Sequence, residues 1–340
     1  MAAQAEHRTG LLYGFGAYGL WGLMPLYWHL LESTGATEVL GHRMVWALPV
    51  AVAMLAVAGR WSWIGPLVRD PRRLALVVVA ATVISVNWGL FIWSVTVGRV
   101  LEASLGYFIN PLVSIAFGVL LLRERLRPTQ WVAVGMGVSA VVVMAVAYGR
   151  LPWVSLVLAF SFATYGLVKK RIRLDGVEGF TAETAVLFLP AAGYLVFLAS
   201  RGESTFLAEG PGHTLLLAVS GLATAIPLVL FGAAAVRLPL STVGLLQYLA
   251  PASMFVLGVL AFHEEMPAER LAGFALVWLA LAVLTTDALR QARRSRVAAR
   301  AVARAGGAGR PAPVVAEPAE AAGELAQLGG ESVRDEERSG

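Results

Sequence analysis

Long apolar segments separated by short polar stretches recur along almost the whole chain. A helix needs about 20 consecutive apolar residues to cross the hydrocarbon core of a bilayer, so these segments can be counted as crossings. The pattern predicts an all-α integral membrane protein with ten transmembrane helices. Their predicted ranges are 10–31, 38–58, 74–97, 101–122, 130–148, 151–168, 182–200, 213–236, 240–262 and 269–287.

The positions of lysine and arginine predict the orientation, because cytoplasmic loops carry the excess of these residues. With the N-terminus inside, nineteen of them fall on the cytoplasmic side of the membrane. The opposite side receives four, namely Arg99, Arg150, Arg201 and Arg270. Both termini of this multi-pass protein are therefore expected in the cytoplasm, which also requires an even number of crossings.

One apolar segment occurs twice, with the second copy 140 residues after the first. The aligned pairs are Pro111 with Pro251, Gly118 with Gly258, and Glu124 with Glu264. Each half then holds five helices, and this odd number inserts the two copies in opposite senses. Inverted repeats are typical of alternating-access carriers. The predicted domains are a cytoplasmic N-terminus at 1–9, a first five-helix repeat at 10–148, a second at 151–288, and a disordered cytoplasmic tail at 289–340.

The composition agrees with a membrane protein. The chain is 58% hydrophobic and 14% charged, with a mean hydropathy of +0.70, which leaves too few polar groups for the surface of a soluble domain. It contains no cysteine, which excludes disulfides and thiolate metal sites. The net charge is +5, and the basic residues lie between apolar segments and in one C-terminal cluster. The expected partners are therefore a small-molecule solute and anionic membrane lipids rather than nucleic acid. Whether the protein forms a homo-oligomer stays open.

The sequence also restricts the chemistry that the chain can perform. It contains no P-loop, so it encodes no ATPase, and no cofactor or metal is expected. The five histidines are scattered, and no His-x-x-x-His or Asp-x-x-Asp pair falls within a predicted helix, which disfavours an enzyme. No charged ring or filter-like loop is visible, which disfavours a channel. A channel and a non-transport membrane protein or enzyme are the alternatives to a carrier.

Four stretches resemble signatures of the RarD family, which lies within the EamA-type drug/metabolite transporter superfamily. They occur in order at 17–28, 38–46, 105–112 and 246–251. The resemblance implies a permease of the bacterial inner membrane with the EamA fold of two inverted five-helix repeats. The family is described in terms of chloramphenicol sensitivity, and related transporters export amino acids or other small metabolites. An amino-acid-like or related amphipathic solute is therefore the implied cargo, moved in a direction that the sequence leaves open.

The repeated segment contains the first candidate residues of a binding site. Proline cannot donate a backbone hydrogen bond, so the carbonyl four residues earlier loses its helical partner. Within a membrane, such a carbonyl needs a neighbouring helix, a side chain or cavity water. We therefore expect helix breaks at Pro111 and Pro251 that face a central cavity. The polar side chains expected to bind solute there are Tyr107, Asn110, Gln247 and Tyr248. A simple kink, with these groups bonded to adjacent helices, is the alternative.

Two ionisable residues, His42 and Arg43, lie inside the second predicted helix. Ionisable groups within a membrane helix are costly and often functional. Arg43 is the candidate that binds an anionic group of the solute, and His42 is the candidate for proton coupling. The alternative is structural, with Arg43 extended to the headgroups or paired with Glu38 or Glu102. No Asp, Lys or Glu is expected deeper in the membrane. Whether a proton accompanies the solute stays open.

Aromatic residues in the first three predicted helices add further candidates. Most tryptophans of membrane proteins lie at the interface with water. Trp21, Trp88 and the adjacent Asn87 fall deeper in their helices. We therefore include them among the residues that could line the cavity, with helix packing as the alternative.

Overall fold

The computed structural model describes residues 2–122, 128–172, 174, 176–235, 237–238, 242–243 and 246–306. This part of the chain is helical apart from short connections. Its helices are α1 (Ala2–His29), α2 (Ala36–Ala58), α3 (Ile64–Arg69), α4 (Pro71–Thr96), α5 (Val100–Leu122), α6 (Pro128–Tyr148), α7 (Trp153–Ile172), α8 (Gly176–Ser200), α9 (Pro211–Ala235), α10 (Leu249–Leu260) and α11 (Ala268–Gly306).

Within the described residues, seven helices are long and apolar enough to cross a membrane. They are α2, α4, α5, α6, α8, α9 and α11. Two shorter apolar stretches, Trp153–Lys169 in α7 and Leu249–Leu260 in α10, accompany them. The predicted class, an all-helical membrane protein, is thus confirmed.

The structure differs from the prediction in the second copy of the repeat. The range 240–262 was expected to be one helix, but α10 begins only at Leu249, after a turn at Gln247 and Tyr248. Pro251 therefore lies in the first turn of α10. Backbone N–H groups in a first turn have no partner within the helix, so the missing N–H of proline removes no helical hydrogen bond. Pro111, in contrast, lies inside α5, which continues to Leu122. The two prolines are therefore not equivalent mid-helix breaks.

The C-terminal region also differs from the prediction. The tail expected to be disordered from 289 begins inside α11, which ends at Gly306. Alanine and arginine dominate this stretch, and both have high helix propensities. Two compact units divide the chain, Met1–Leu289 and Arg290–Gly340, and the second is helical as far as Gly306. The rest of the predicted tail lies outside the described residues, as does Glu124 of the first repeat.

Local sequence signals fix several helix ends. Asp70 precedes Pro71, and its Oδ1 accepts the backbone N–H groups of Arg72 and Arg73 at 3.0 and 3.1 Å. This is a helix N-cap followed by proline at the first helical position, the arrangement that starts α4. At the C-terminal end of α2, Gly59 adopts a left-handed conformation with φ of 63°, which ends that helix.

Helices from the two halves of the chain pack against each other. The principal pairs are α5 with α7 and α10, α2 with α8 and α9, α4 with α7, and α1 with α9 and α10. The helices approach closely at Gly221 of α9, where an added Cβ would lie 2.2 Å from the carbonyl carbon of Trp46. Backbones that meet so closely leave no room for a side chain. This contact fixes α2 against the second half of the chain.

Candidate functional site

Arg43 lies about two turns into α2 and is buried, with 7% of its surface exposed. Its guanidinium carbon is 4.0 Å from the ring centroid of Trp88 in α4 and 5.2 Å from that of Trp28 in α1. A guanidinium over an indole face is attracted by the negative charge of the π system. Three helices of the first half thus form an aromatic site around one buried cation.

No carboxylate of the described residues lies within 4.0 Å of Arg43. Glu102 instead pairs with Arg150, at 3.1 Å, and the carboxylate of Glu38 accepts hydrogen bonds from the connection between α8 and α9. The alternative in which Arg43 pairs with one of these acids is therefore not what the structure shows. The Nε of Arg43 is also buried without a hydrogen-bond partner. A buried cation without a counter-charge is costly, and a bound anion would relieve that cost.

Tyr107 of α5 lies near the arginine, and Asn87 of α4 is bonded to Tyr107. The Tyr107 hydroxyl donates a hydrogen bond to Asn87 Oδ1 at 3.2 Å and interacts electrostatically with Arg43. Asn87 is fully buried, and its amide nitrogen donates to the Leu158 carbonyl at 3.0 Å and to Ser161 Oγ at 2.9 Å. Asn87 therefore holds Tyr107 in place and connects it to α7. We call Arg43, Trp28, Trp88, Tyr107 and Asn87 the Arg43 site.

Several other buried polar atoms near this level of the bundle lack hydrogen-bond partners. Asn110 Oδ1, one turn after Tyr107 on α5, is one of them. The others on α1 and α2 are Trp28 Nε1, Trp46 Nε1 and both ring nitrogens of His42. Buried polar atoms are nearly always satisfied in folded proteins. Hydrogen-bonding atoms without partners at these positions are suited to a polar ligand.

His42 is buried and stacks on Phe206 of the α8–α9 connection, with ring centroids 4.7 Å apart. Its Nε2 lies 3.9 Å from Glu38 Oε1, which is beyond hydrogen-bonding distance. Glu38 and His213 are the charged or titratable groups whose fields reach it. His42 therefore lies next to the Arg43 site but on the side that faces the α8–α9 connection.

The structure does not bring all the predicted residues together. Tyr248 packs on the cluster that contains Leu101 and Phe274, and Gln247 precedes it in the same turn. Trp21 packs on Tyr18 and Phe231 in a different cluster. None of the described contacts joins these three residues to the Arg43 site. Arg43, Trp88, Asn87 and Tyr107 do form one site, with Asn110 adjacent.

One ionisable group was missed by the sequence analysis. Glu183 lies inside α8 and is 3% exposed, so an acid does lie within a membrane helix. Its two oxygens accept hydrogen bonds from Lys169 Nζ and the Tyr165 hydroxyl, both at 2.9 Å. An acid within an apolar segment is a sequence signal that could have identified it. Because its partners satisfy it, Glu183 is best explained as a buried ion pair between α7 and α8.

The chain is similar to known membrane transporters along most of its length. The family described as the EamA-like transporter family matches it twice, over residues 8–146 and 152–286. The protein named Protein RarD from Streptomyces exfoliatus is 65% identical over 89% of this chain and 96% of that protein. The Chloramphenicol-sensitive protein RarD of Pseudomonas aeruginosa is 32% identical over 84% of this chain and 96% of that protein. A solved crystal structure with 20% identity shares the fold, with a TM-score of 0.54 over 84% of this chain and 99% of that chain.

Proposed function

Because the chain belongs to the EamA-like transporter family and to its RarD proteins, we propose that it is a permease for a small metabolite that carries an anionic group. The solute binds at the Arg43 site and crosses the bacterial inner membrane by alternating access. This goes further than the family membership, which establishes a multi-pass membrane transporter without naming its cargo.

The observation that carries this proposal is the environment of Arg43. A buried guanidinium that contacts two indoles, with no carboxylate of the described residues in reach, favours a ligand that brings its own negative charge. A carboxylate would bind the fork of N–H groups with both oxygens. The flanking rings of Trp28 and Trp88 suit an apolar part of the same molecule. An amino-acid-like or other amphipathic acid has both features.

Alternating access follows from a proposed arrangement of ten helices as two inverted repeats. The double family match supports the duplication, and the packing of first-half helices on second-half helices supports two halves that move relative to each other. Both termini are then cytoplasmic, and the α8–α9 connection faces the outside. His42, beside the binding site, is the candidate to couple a proton to solute movement.

The relative from Pseudomonas aeruginosa is named for chloramphenicol sensitivity. For this chain we propose such sensitivity as a secondary effect, because an uncharged drug lacks the anionic group that Arg43 would bind. Transport of a metabolite remains the primary proposal. The membrane lipids around the bundle are its expected partners.

The test compares metabolites inside cells and in the medium for strains with the wild-type gene, without it, and with Arg43→Ala or Arg43→Lys. Anionic solutes should change distribution with the wild-type gene and return to the no-gene values with Arg43→Ala. Arg43→Lys should retain part of the activity, since lysine keeps the charge but loses the planar stacking and the paired donors.

Arg237→Ala is the matched control. Arg237 is exposed and also lies over an aromatic ring, 5.4 Å from the centroid of Tyr13. Its loss should leave the solute distribution unchanged at equal protein level. Wild-type activity in Arg43→Ala would refute the proposed site. Counterflow in proteoliposomes with the solutes found would separate a carrier from a channel, because only a carrier exchanges solute through a closed intermediate.

A further inference from the structure

The connection between α8 and α9 is folded into the bundle instead of lying over its surface. Phe206, in the middle of this connection, stacks on His42 and lies 6.5 Å from Trp46, measured between ring centroids. His42 lies about 9 Å along the axis from the start of α2. A loop side chain therefore reaches two turns into the bundle, to the residue next to Arg43.

Four polar contacts hold this connection against the start of α2. Glu38 Oε1 accepts from Ser204 Oγ at 2.7 Å and from the Thr205 backbone N–H at 2.9 Å. The Thr205 and Thr34 hydroxyl oxygens are 2.9 Å apart, and the carboxylate of Glu209 accepts from Ser33 at 2.6 Å. Glu38 is 3% exposed, so the two bonds that it accepts are hydrogen bonds to a buried charge, which are stronger than those between neutral groups.

The connection has a glycine with positive φ at each end. Gly202 and Gly210 both have positive φ, at 69° and 94°, a conformation that glycine adopts without strain. Between them Leu207, directly after Phe206, has a φ of 66°, which is strained for a residue with a Cβ. Leu207 itself is 75% exposed, so no burial of its side chain offsets the strain. The Leu207 N–H donates to Thr214 Oγ1 at 3.1 Å, and the neighbouring Phe206 packs on His42, so hydrogen bonding and packing of the connection offset the strain.

We propose that residues 203–209 form a lid that closes the Arg43 site on one side of the membrane, with Phe206 as the plug and Glu38 as the residue that latches it. The lid opens by rotation at Gly202 and Gly210, which withdraws Phe206 from His42 and relieves the strain at Leu207. The side of the membrane that the lid faces rests on the orientation given in the proposed function. The closure of the Arg43 site by the lid is independent of that orientation.

The absence of cysteine makes the lid directly testable. A single cysteine in His42→Cys lies beneath Phe206 and reports opening by its rate of reaction with a membrane-impermeant maleimide. We expect slow labelling in this background and labelling at least about tenfold faster when Phe206→Ala is added, since reactivity scales with the open fraction. Phe197→Ala is the matched control, because Phe197 is 53% exposed at the same end of α8. It should leave the rate unchanged.

Labelling is measured both in intact cells and in inside-out vesicles. Acceleration by Phe206→Ala in intact cells supports an outward-facing lid, and acceleration only in vesicles overturns the proposed orientation. Equal rates for the Phe206→Ala and Phe197→Ala proteins from both sides overturn the lid itself. None of these readings requires solute, so they are independent of the Arg43 experiment.

A second pair of variants covers the case in which Phe206→Ala does not fold. Glu38→Gln keeps the shape of the latch but removes its charge, and should also accelerate labelling of His42→Cys. Separately, Thr34→Cys with Thr205→Cys places two thiols where the hydroxyls are now 2.9 Å apart. Oxidation of this pair should block solute movement, and reduction should restore it. Oxidation of either single-cysteine protein should leave solute movement unchanged. Full transport through the oxidised pair would overturn the lid.

Discussion

The carboxylate of Glu264 caps the helix that begins at Val100. Its oxygens accept the backbone N–H groups of Val100 and Leu101, the latter at 3.1 Å from Oε2. These residues form the first turn of α5, where helical N–H groups have no partner within the helix. Glu264 follows α10 in the second half of the chain, so one side chain joins the two copies of the repeated segment.

Burial raises the pKa of Glu264 to about 7, against a smaller lowering by the Leu101 and Val100 N–H groups and by Arg270. A carboxyl group with a higher pKa in the folded protein binds more protons when folded than when unfolded. Its contribution to stability is therefore present at low pH and is lost as the pH rises from about 4.5 to 7. The melting temperature of the wild-type protein in detergent should fall across this window relative to that of Glu264→Gln, which cannot ionise.

The control for this measurement is Glu265→Gln, which changes the adjacent, exposed acid. It should keep the pH dependence of the wild-type protein. Identical slopes in the wild-type and Glu264→Gln proteins would show that the cap does not titrate in this range.

The contact between Gly221 and the backbone of Trp46 predicts a sharp difference between two glycine substitutions. Gly221→Ala places a methyl group 2.2 Å from a carbonyl carbon, so α2 and α9 must separate, at a cost of about 1–3 kcal/mol. Gly193→Ala in α8 meets no atom within 4 Å and should gain about 0.5–1 kcal/mol from helix propensity. Thermal unfolding in detergent measures both. Comparable stability of the two variants would contradict the close approach.

Tyr107→Phe tests the hydrogen bond that joins α4 and α5. The ring keeps its contacts with Phe91 and Phe162, while the bond to Asn87 is lost, which costs about 1 kcal/mol. We expect a small decrease in melting temperature and a larger decrease in solute movement, because the hydroxyl lies beside Arg43.

Tyr194→Phe is the control for a lost hydroxyl. It removes an exposed hydrogen bond to Thr37, 2.7 Å long, and none of the described contacts joins Tyr194 to the Arg43 site. It should leave transport unchanged. If both variants transport equally, the Tyr107 hydroxyl has no part in solute binding.

The sequence was sufficient for the features that depend on local pattern. The helical class follows from the apolar segments, and Arg43 was identified because a charge inside such a segment is unusual. Its partners could not be predicted in the same way, since the aromatic rings around it come from α1 and α4 and the acids near it bind other groups. The helix bounds near Pro251 were wrong because apolar composition is the same for a helix and for the turn before it.

The position of Phe206 is the clearest example of a feature that could not be predicted from the sequence. Phe206 lies in a short polar connection, and nothing in the residues around it indicates that its ring enters the bundle. Its position depends on Glu38 and His42, which are more than 160 residues away in the chain. Interactions of this range are specified by the fold as a whole, so the lid could be found only from the structure.

The last prediction concerns His42, the candidate for proton coupling. Glu38 on α2 and His213 on α9 are the titratable groups that act on it electrostatically, and Arg43 is its neighbour in sequence. His42→Gln keeps a polar side chain of similar size but cannot take up a proton. If His42 couples a proton to transport, solute flux in proteoliposomes should lose its dependence on an imposed pH gradient in this variant. His213→Gln, which changes the nearby histidine bonded to Thr34, should keep that dependence. A pH-driven flux in His42→Gln equal to that of the wild-type protein would assign the coupling, if present, to another group.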